Sequence, residues 1–451
     1  MKKKAVTISA SQLIGFLDQE LKELPDNRKG DNKKYTVKDA VIAAFSVFFT
    51  QSPSFLQYQR LMNPKKGQDN AQSLFKLLEI PCDNQIRNLL DPIPALTVFG
   101  TFKNTYKWLE NNWVIEEFKY LDNQILMALD GTEYHSSKKI NCLHCNCRKH
   151  RNGSVTYYHQ AVTPVIVSPL KKQVILKDTA SHINFPPEFI KKQDGKTKQD
   201  CETVAVKRWL LRNPVDQKNN QITLLGDDLY SRQPICDLAL EQGYNFIFVA
   251  KASSHQSLYE WIDFSEKNGE MRSGEIKKYE KGKRRIYRYR YVNNLPIRES
   301  EPSLMGNWYE VEIFDTTKNK VIYKNSFITN HELNEQNIFP MMKSGRTRWK
   351  VENENNNILK NQGYNLEHNF GHGQENLSEI LLSLNLLAFL FHNVLDLVND
   401  MYQKVRKSLG TRKRFFNDIR ALLNYIWFQS WNDLFIFILS EGESREAVNT
   451  S

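Results

Sequence analysis

Between Gln124 and Ala250 the sequence changes period in an order that few folds accommodate. Gln124–Leu129 is an apolar run, Val155–Val167 is long and β-rich with Pro164 inside it, and Gln173–Leu176 follows the turn Ser168-Pro169-Leu170. Three such runs with short links read as an antiparallel meander. Thr197–Leu211 then carries Val204, Ala205, Trp209 and Leu210 on one helical side, and Gln221–Leu225 is a buried-type strand. Gln233–Gln242 is helical up to a stop at Gly243, and Asn245–Ala250 is a further apolar strand. Short helix-to-strand links place the last two strands parallel, by right-handed crossovers, beside the meander. The order predicts an α/β core.

The flanks read differently. Residues 1–118 show helical patterns at Asp39–Phe49, Ala71–Leu78, Asp83–Leu90 and Leu96–Asn112, with no strand alternation and a loop at Asn63-Pro64-Lys65-Lys66-Gly67. This predicts a helical, DNA-binding domain over 1–118. The core occupies 119–265, a β-rich insertion 266–330, and the core's second part 331–400, with helices at Arg346–Lys360 and from Leu377 to Arg406. A C-terminal helical region spans 401–440 and a disordered tail 441–451. The apolar run Leu381–Val398 contains Ser383, Asn385, His392, Asn393 and Asp396, which are costly at a bilayer centre, so it predicts a buried helix and no membrane span. Met1-Lys2-Lys3-Lys4 opens like a secretory leader, but Asp18-Gln19-Glu20 arrives before an adequate apolar core. A cytoplasmic protein is expected, in which six cysteines are reduced thiols or metal ligands. The 62 Lys plus Arg against 51 Asp plus Glu, a net charge of +11, suit a polyanionic partner such as nucleic acid.

Two of the predicted strands run into carboxylates: Leu126-Met127-Ala128-Leu129-Asp130 and Ile222-Thr223-Leu224-Leu225-Gly226-Asp227-Asp228. On neighbouring strands these acids lie together and repel unless a divalent cation neutralises them. An isolated acid at a strand end is more often a turn or cap residue, as Asp-Gly suggests at Asp130. The pair on this topology favours a metal site. A third acid follows the insertion, in Arg346-Thr347-Arg348-Trp349-Lys350-Val351-Glu352, where Arg348 and Glu352 are four residues apart on one helix face.

At these residues the chain resembles the DDE-type transposases of bacterial insertion sequences, in the cut-and-paste group recognised by a Tyr-x2-Arg-x3-Glu-x6-Lys motif. Arg348-x3-Glu352 fits the motif, Asp227-Asp228-Leu229-Tyr230 fits the Asp-x-x-Tyr of the second acid, and Asp130-Gly131-Thr132 fits the first site. Phe327-Ile328-Thr329-Asn330 resembles the strand that leads into the motif helix. Gly345 stands in place of the motif Tyr and Leu359 in place of the Lys, with Lys360 one residue late. At about 100° per residue in an α-helix, Lys360 projects about 80° away from Glu352. The resemblance covers roughly residues 120–400. It implies a ribonuclease H-like core, whose strand and helix order the sequence also shows, with catalytic Asp130, Asp227, Glu352 and Arg348. The three acids would hold Mg2+ or Mn2+, two ions about 3.5–4 Å apart in the two-metal arrangement. The implied reaction is cleavage at transposon ends followed by strand transfer into target DNA. The implied partners are double-stranded terminal inverted repeats and target DNA, with a homodimer in the active complex and a nucleoid-associated location. A nuclease or resolvase on the same fold, or a catalytically inactive DNA-binding protein, are the alternatives.

Two further features carry chemistry. Lys283, Arg284, Arg285, Arg288 and Arg290 lie in an alternating strand whose tyrosines can face a core while the cations reach phosphates, and Lys360 is a further candidate. A solvated edge strand protected by charge explains the same pattern. Cys142, Cys145, Cys147 and His150 supply a Cys-x2-Cys pair and further ligand types for structural Zn2+, with His159 also near. The stretch from Asn365 to Gly373, with His368 and His372, has the composition of a site and equally that of a Gly-rich turn between helices. Apolar and aromatic residues from Phe415 to Phe437 exceed what one helical stripe needs, which offers a dimer contact or simple packing on the core.

Overall fold

A computed structural model describes residues 6–449 except 23, 25, 27, 29–32, 63, 65–67, 171–181, 185, 192–199, 216–220 and 281. The expected strand Gln173–Leu176 and the basic pair Lys65-Lys66 lie outside the described residues. The chain is α/β, with helices packed about one mixed sheet. Its strands are β1 Ile125–Ser137, β2 Asn146–Lys149, β3 Val155–Val167, β4 His182–Asn184, β5 Glu188–Ile190, β6 Ile222–Gly226 and β7 Asn245–Val249, followed by β8 Arg272–Glu280, β9 Lys283–Pro296, β10 Met305–Asp315 and β11 Lys320–Thr329. The order along the sheet is β2-β3-β1-β6-β7-β11-β10-β9-β8, with β4 and β5 both pairing with β3.

β1 and β3 are antiparallel, while β1–β6 and β6–β7 are parallel, the second pair as its short helical connection requires. β3 is a single unbroken strand, with Pro164 opposite Leu129. The insertion does not form a separate layer. Its strands join the same sheet through β11, which pairs antiparallel with β7. β8, unmarked by apolar alternation, pairs along β9 and closes that edge.

Alternation along the strands divides the core. Ile125, Met127 and Leu129 of β1, with Leu224 of β6, face one large cluster, whereas Leu126, Ala128 and Leu225 face a smaller one on the opposite side. The larger cluster takes in the N-terminal helices α1 Ala10–Glu20, α2 Val37–Phe49, α3 Phe55–Leu61, α4 Asn70–Phe75, α5 Asp83–Leu90 and α6 Phe99–Asn111. It also takes in α7 Glu202–Arg212, α8 Gln233–Glu241, α9 Gln256–Lys267 and the buried helix α12 Leu377–Val398. The smaller cluster lies under α10 Ile338–Thr347.

After α10 comes a π-helical turn, Val351–Asn356, and the short α11 Asn357–Asn361. The expected helix Leu377–Arg406 is two helices, α12 and α13 Asp400–Leu409, broken at Asn399, whose side chain caps α13. α14 Arg412–Tyr425 and α15 Trp431–Asn449 complete the chain, so helix runs past the expected start of the tail. Among the described residues only α12 is long and apolar enough to cross a membrane, and it is mostly buried inside the protein.

The N- and C-terminal helices share their core. Trp431 packs edge-on to Phe49 and Phe75 and donates to the Leu74 carbonyl, and Asn70 donates to the carbonyls of Leu423 and Ile426. Phe415, Phe416, Leu423, Phe428, Leu434 and Phe435 are likewise buried within the protomer. The aromatic excess therefore goes into internal packing, and Tyr425 and Ile436 are the large apolar side chains it leaves exposed.

Candidate acidic site and a Cys–His cluster

The register between β1 and β6 sets the geometry of the acids. Leu126 pairs with Thr223 and Ala128 with Leu225, so two residues further on Asp130 is level with Asp227. Asp130 continues the alternation of Leu126 and Ala128 and so points to the face covered by α10 and the π turn, and Asp227 follows directly on the end of β6. β6 stops at Gly226, whereas β1 runs on to Ser137 against β3. Asp130 is thus a mid-strand residue, not the start of the turn that Asp130-Gly131 suggests.

Gly131 has another use. Its missing Cβ leaves room for the Glu202 carboxylate, which a Cβ at this position would strike. Glu202 opens α7 on the opposite face of the sheet and reaches past the glycine toward Asp130. The buried hydroxyl of Tyr230 donates to Glu202 Oε1 and fixes it there. Burial, and then the neighbouring Asp227, raise the Glu202 carboxyl against the hydrogen bond from Tyr230. Nothing in its local sequence marks Glu202 as a site residue. A carboxylate at the start of a helix has an ordinary explanation in the helix dipole, and only the glycine beside Asp130 hints at a close approach.

The π turn carries the other side of the site. Asn356 donates from Nδ2 to Asp130 Oδ2 at 2.9 Å, and Glu352 Oε1 accepts from Arg348 Nη1 at 2.7 Å. Burial pushes Asp130 up to about 7, assisted by the charges of Glu202, Glu352 and Asp227 and opposed by Arg348. Burial works against the Arg348 cation, yet Glu352, Asp130 and Asp227 together raise it. The four carboxylates and Arg348 therefore share one electrostatic neighbourhood. Asp228 lies outside it in role, because it accepts from the Lys251 backbone N–H at 2.7 Å and from the Ser254 hydroxyl, tying the end of β6 to the loop after β7.

The two motif departures have physical explanations. Gly345 faces the Tyr309 hydroxyl and the Phe327 ring, which a Cβ would approach to 2.5 and 2.9 Å, so aromatic side chains from β10 and β11 fill the space. Gly345→Ala should cost about 1–3 kcal/mol by overpacking, measured by denaturant unfolding; an unchanged midpoint would show that Tyr309 yields freely. As for Lys360, a π turn takes in one more residue per turn than an α turn, which offsets the extra residue between Glu352 and Lys360. The Lys360 ammonium is paired with Glu367 at 2.7 Å.

The basic strand of the insertion is balanced by acids. Arg288 pairs with Glu312, Arg290 with Glu310 and Glu266, and Arg285 with Glu280, while Lys283 and Arg284 are exposed at the strand start. Tyr287 and Tyr291 are buried on the other face, and Trp308 is fully buried.

Of the four residues expected to bind zinc, the structure joins Cys142 and Cys145 and replaces the other two. Cys147 lies in β2, opposite Tyr157, and His150 is exposed and bonded through Nε2 to the Thr156 hydroxyl at 2.7 Å. His159 of β3 and His372, in the segment before α12, take their places. The ligand atoms of Cys142, Cys145, His159 and His372 all lie within 4.8 Å of one another, and such a group can bind a metal such as zinc. Among the described residues the acids are not drawn together this tightly. No protein-family model matches the chain, and no curated protein matches it.

Proposed function

We propose that the protein is a DDE-type DNA transposase, catalysing metal-dependent cleavage at transposon ends and strand transfer into target DNA. The observation that carries this reading is that Asp227, beyond the end of the neighbouring parallel strand, and Glu352, in the π turn after the insertion, both act on the buried Asp130 carboxyl, which is raised to about 7. The sheet order β3-β1-β6-β7, antiparallel then parallel, supports a ribonuclease H-like core.

The donor set suits a hard divalent cation. Four carboxylates face one guanidinium, so negative charge is in excess and part of it is buried. Asp130, Asp227 and Glu352 would hold Mg2+ or Mn2+, which when bound supplies activation of a water or 3′-hydroxyl and stabilisation of the leaving oxygen. The chain's own residues hold that arrangement in place. Asn356 fixes one oxygen of Asp130 and leaves the other for a ligand. Arg348 orients Glu352 and can contact a phosphate. Tyr230 keeps Glu202 beside Asp130, where its charge strengthens the demand for a cation. The net charge of +11 and the exposed Lys283 and Arg284 suit double-stranded DNA as the partner.

The test is nicking and joining of DNA carrying the element's ends, with Mg2+ or Mn2+, by the wild type and by Glu352→Gln. Inverted repeats and a short target duplication flanking the coding sequence should accompany cleavage and joining. Cleavage without joining would make the protein a nuclease, and DNA binding without any metal-dependent cleavage would reduce it to a binding protein.

A further inference from the structure

We infer that Cys142, Cys145, His159 and His372 form a structural Zn2+ site that ties the β1–β3 hairpin to the segment entering α12. Zn–S bonds of about 2.3 Å and Zn–N bonds of about 2.0–2.1 Å at tetrahedral angles set two sulfurs about 3.8 Å apart, sulfur and nitrogen about 3.5–3.6 Å apart, and two nitrogens about 3.3–3.4 Å apart. Here Cys142 Sγ and Cys145 Sγ are 3.8 Å apart. Cys142 Sγ lies 3.6 Å from His159 Nε2, and Cys145 Sγ lies 3.3 Å from His159 Nε2 and 3.4 Å from His372 Nε2. The two Nε2 atoms are 3.1 Å apart. Five of the six edges of a zinc-sized tetrahedron are matched to within a few tenths of an ångström, and the sixth, between Cys142 and His372, is no longer than 4.8 Å. The sulfurs are far outside the S–S bond length of about 2.05 Å, so the pair is not a disulfide.

The surroundings agree. His372 Nδ1 donates to the Gly373 carbonyl at 2.9 Å, which fixes the tautomer and turns the Nε2 lone pair toward the group. His159 also presents Nε2. Two imidazole nitrogens this close, in a pocket where Cys145, His159 and His372 are all buried, need a cation or a proton between them. Two thiolates and two imidazoles close the coordination shell, which marks a structural site. The site joins segments 213 residues apart, one on the sheet and one leading into the central buried helix.

Zinc content of the full-length protein, purified without chelators, decides the matter by elemental analysis and X-ray absorption. One zinc per chain with two sulfur and two nitrogen ligands is expected. Cys145→Ser and His372→Ala should each weaken zinc binding at least about 100-fold, since loss of even an outer-shell partner costs about 10–100-fold. Cys147→Ser and His150→Ala should leave it unchanged. Should the first pair fail to fold, Co2+ added to the metal-stripped wild type gives the same answer, through the visible and sulfur-to-metal absorption of a tetrahedral thiolate site. A chain that takes up neither Zn2+ nor Co2+, or that keeps its zinc in His372→Ala, overturns the assignment. None of these readouts involves DNA cleavage, so the result stands apart from the proposed transposase activity.

Discussion

Asp130→Asn, Asp227→Asn and Glu352→Gln should each reduce metal-dependent DNA cleavage by at least about 10²–10³-fold, the loss typical when one preorganised electrostatic group at a reacting centre is removed. Each replacement keeps the shape and removes a charge, so binding of DNA should persist in a gel-shift assay while cleavage is lost. Asp228→Asn is the internal comparison. Its carboxylate is committed to the Lys251 N–H and the Ser254 hydroxyl, so the change should lower stability and leave the cleavage step of the remaining folded protein largely intact. If Asp228→Asn abolishes cleavage and Asp227→Asn does not, the β1–β6 register has been assigned the wrong acid. Full activity of Glu352→Gln would remove the transposase reading.

The second large effect concerns pH. In the folded protein without added Mg2+ or Mn2+, Asp130 has its carboxyl pushed up from 3.8 to about 7, burial being the main cause. A raised acid binds its proton more tightly in the folded than in the unfolded chain, so its stabilising contribution is complete below about pH 4 and is lost as pH rises through about 7. Three pH units at about 1.4 kcal/mol each give an upper bound of about 4 kcal/mol. Asp130→Asn should abolish this loss: the variant should match the wild type near pH 4 and exceed it in unfolding free energy by up to that amount at pH 8. Glu202→Gln, which removes the charge that acts most strongly on Asp130, should recover part of the difference. Mg2+ should raise the melting temperature of the wild type at pH 8 and not that of Asp130→Asn. Identical pH profiles for wild type and Asp130→Asn would mean that the carboxyl is not held in this environment.

How far the sequence discloses the molecule depends on the range of each interaction. The α/β order is legible because strand and helix periods are local: the patterns at Gln221–Leu225 and Asn245–Ala250 fall within a residue of β6 and β7. Local signals fail where a distant group alters the meaning of a residue. Asp130-Gly131 reads as a turn, yet the glycine serves Glu202 on another element and the strand continues. The angular offset of Lys360 from Glu352 assumes an α-helix, and the π turn that changes it has no mark in the sequence. Cys147 and His150 group with Cys142 and Cys145 only because they are close in the chain. His372 is visible as a residue but not as a partner, since nothing in its spacing points back 213 residues to His159.

That separation has a consequence for how the protein is made. The contact between Asn356 and Asp130 closes a loop of 226 residues, and the one between His159 and His372 a loop of 213. Neither can form on a ribosome until β1, the whole insertion and the π turn have emerged, and contacts of such high order are late events in folding. A nascent chain would therefore have β1 and β3 paired, and a half-built pair of centres, throughout the synthesis of α7 to α10 and the insertion. Closure cost grows only with the logarithm of loop length, so two loops of nearly equal length carry nearly equal entropic cost. The acidic centre and the Cys–His cluster should appear together, and a truncated chain ending before Asn356 should have neither.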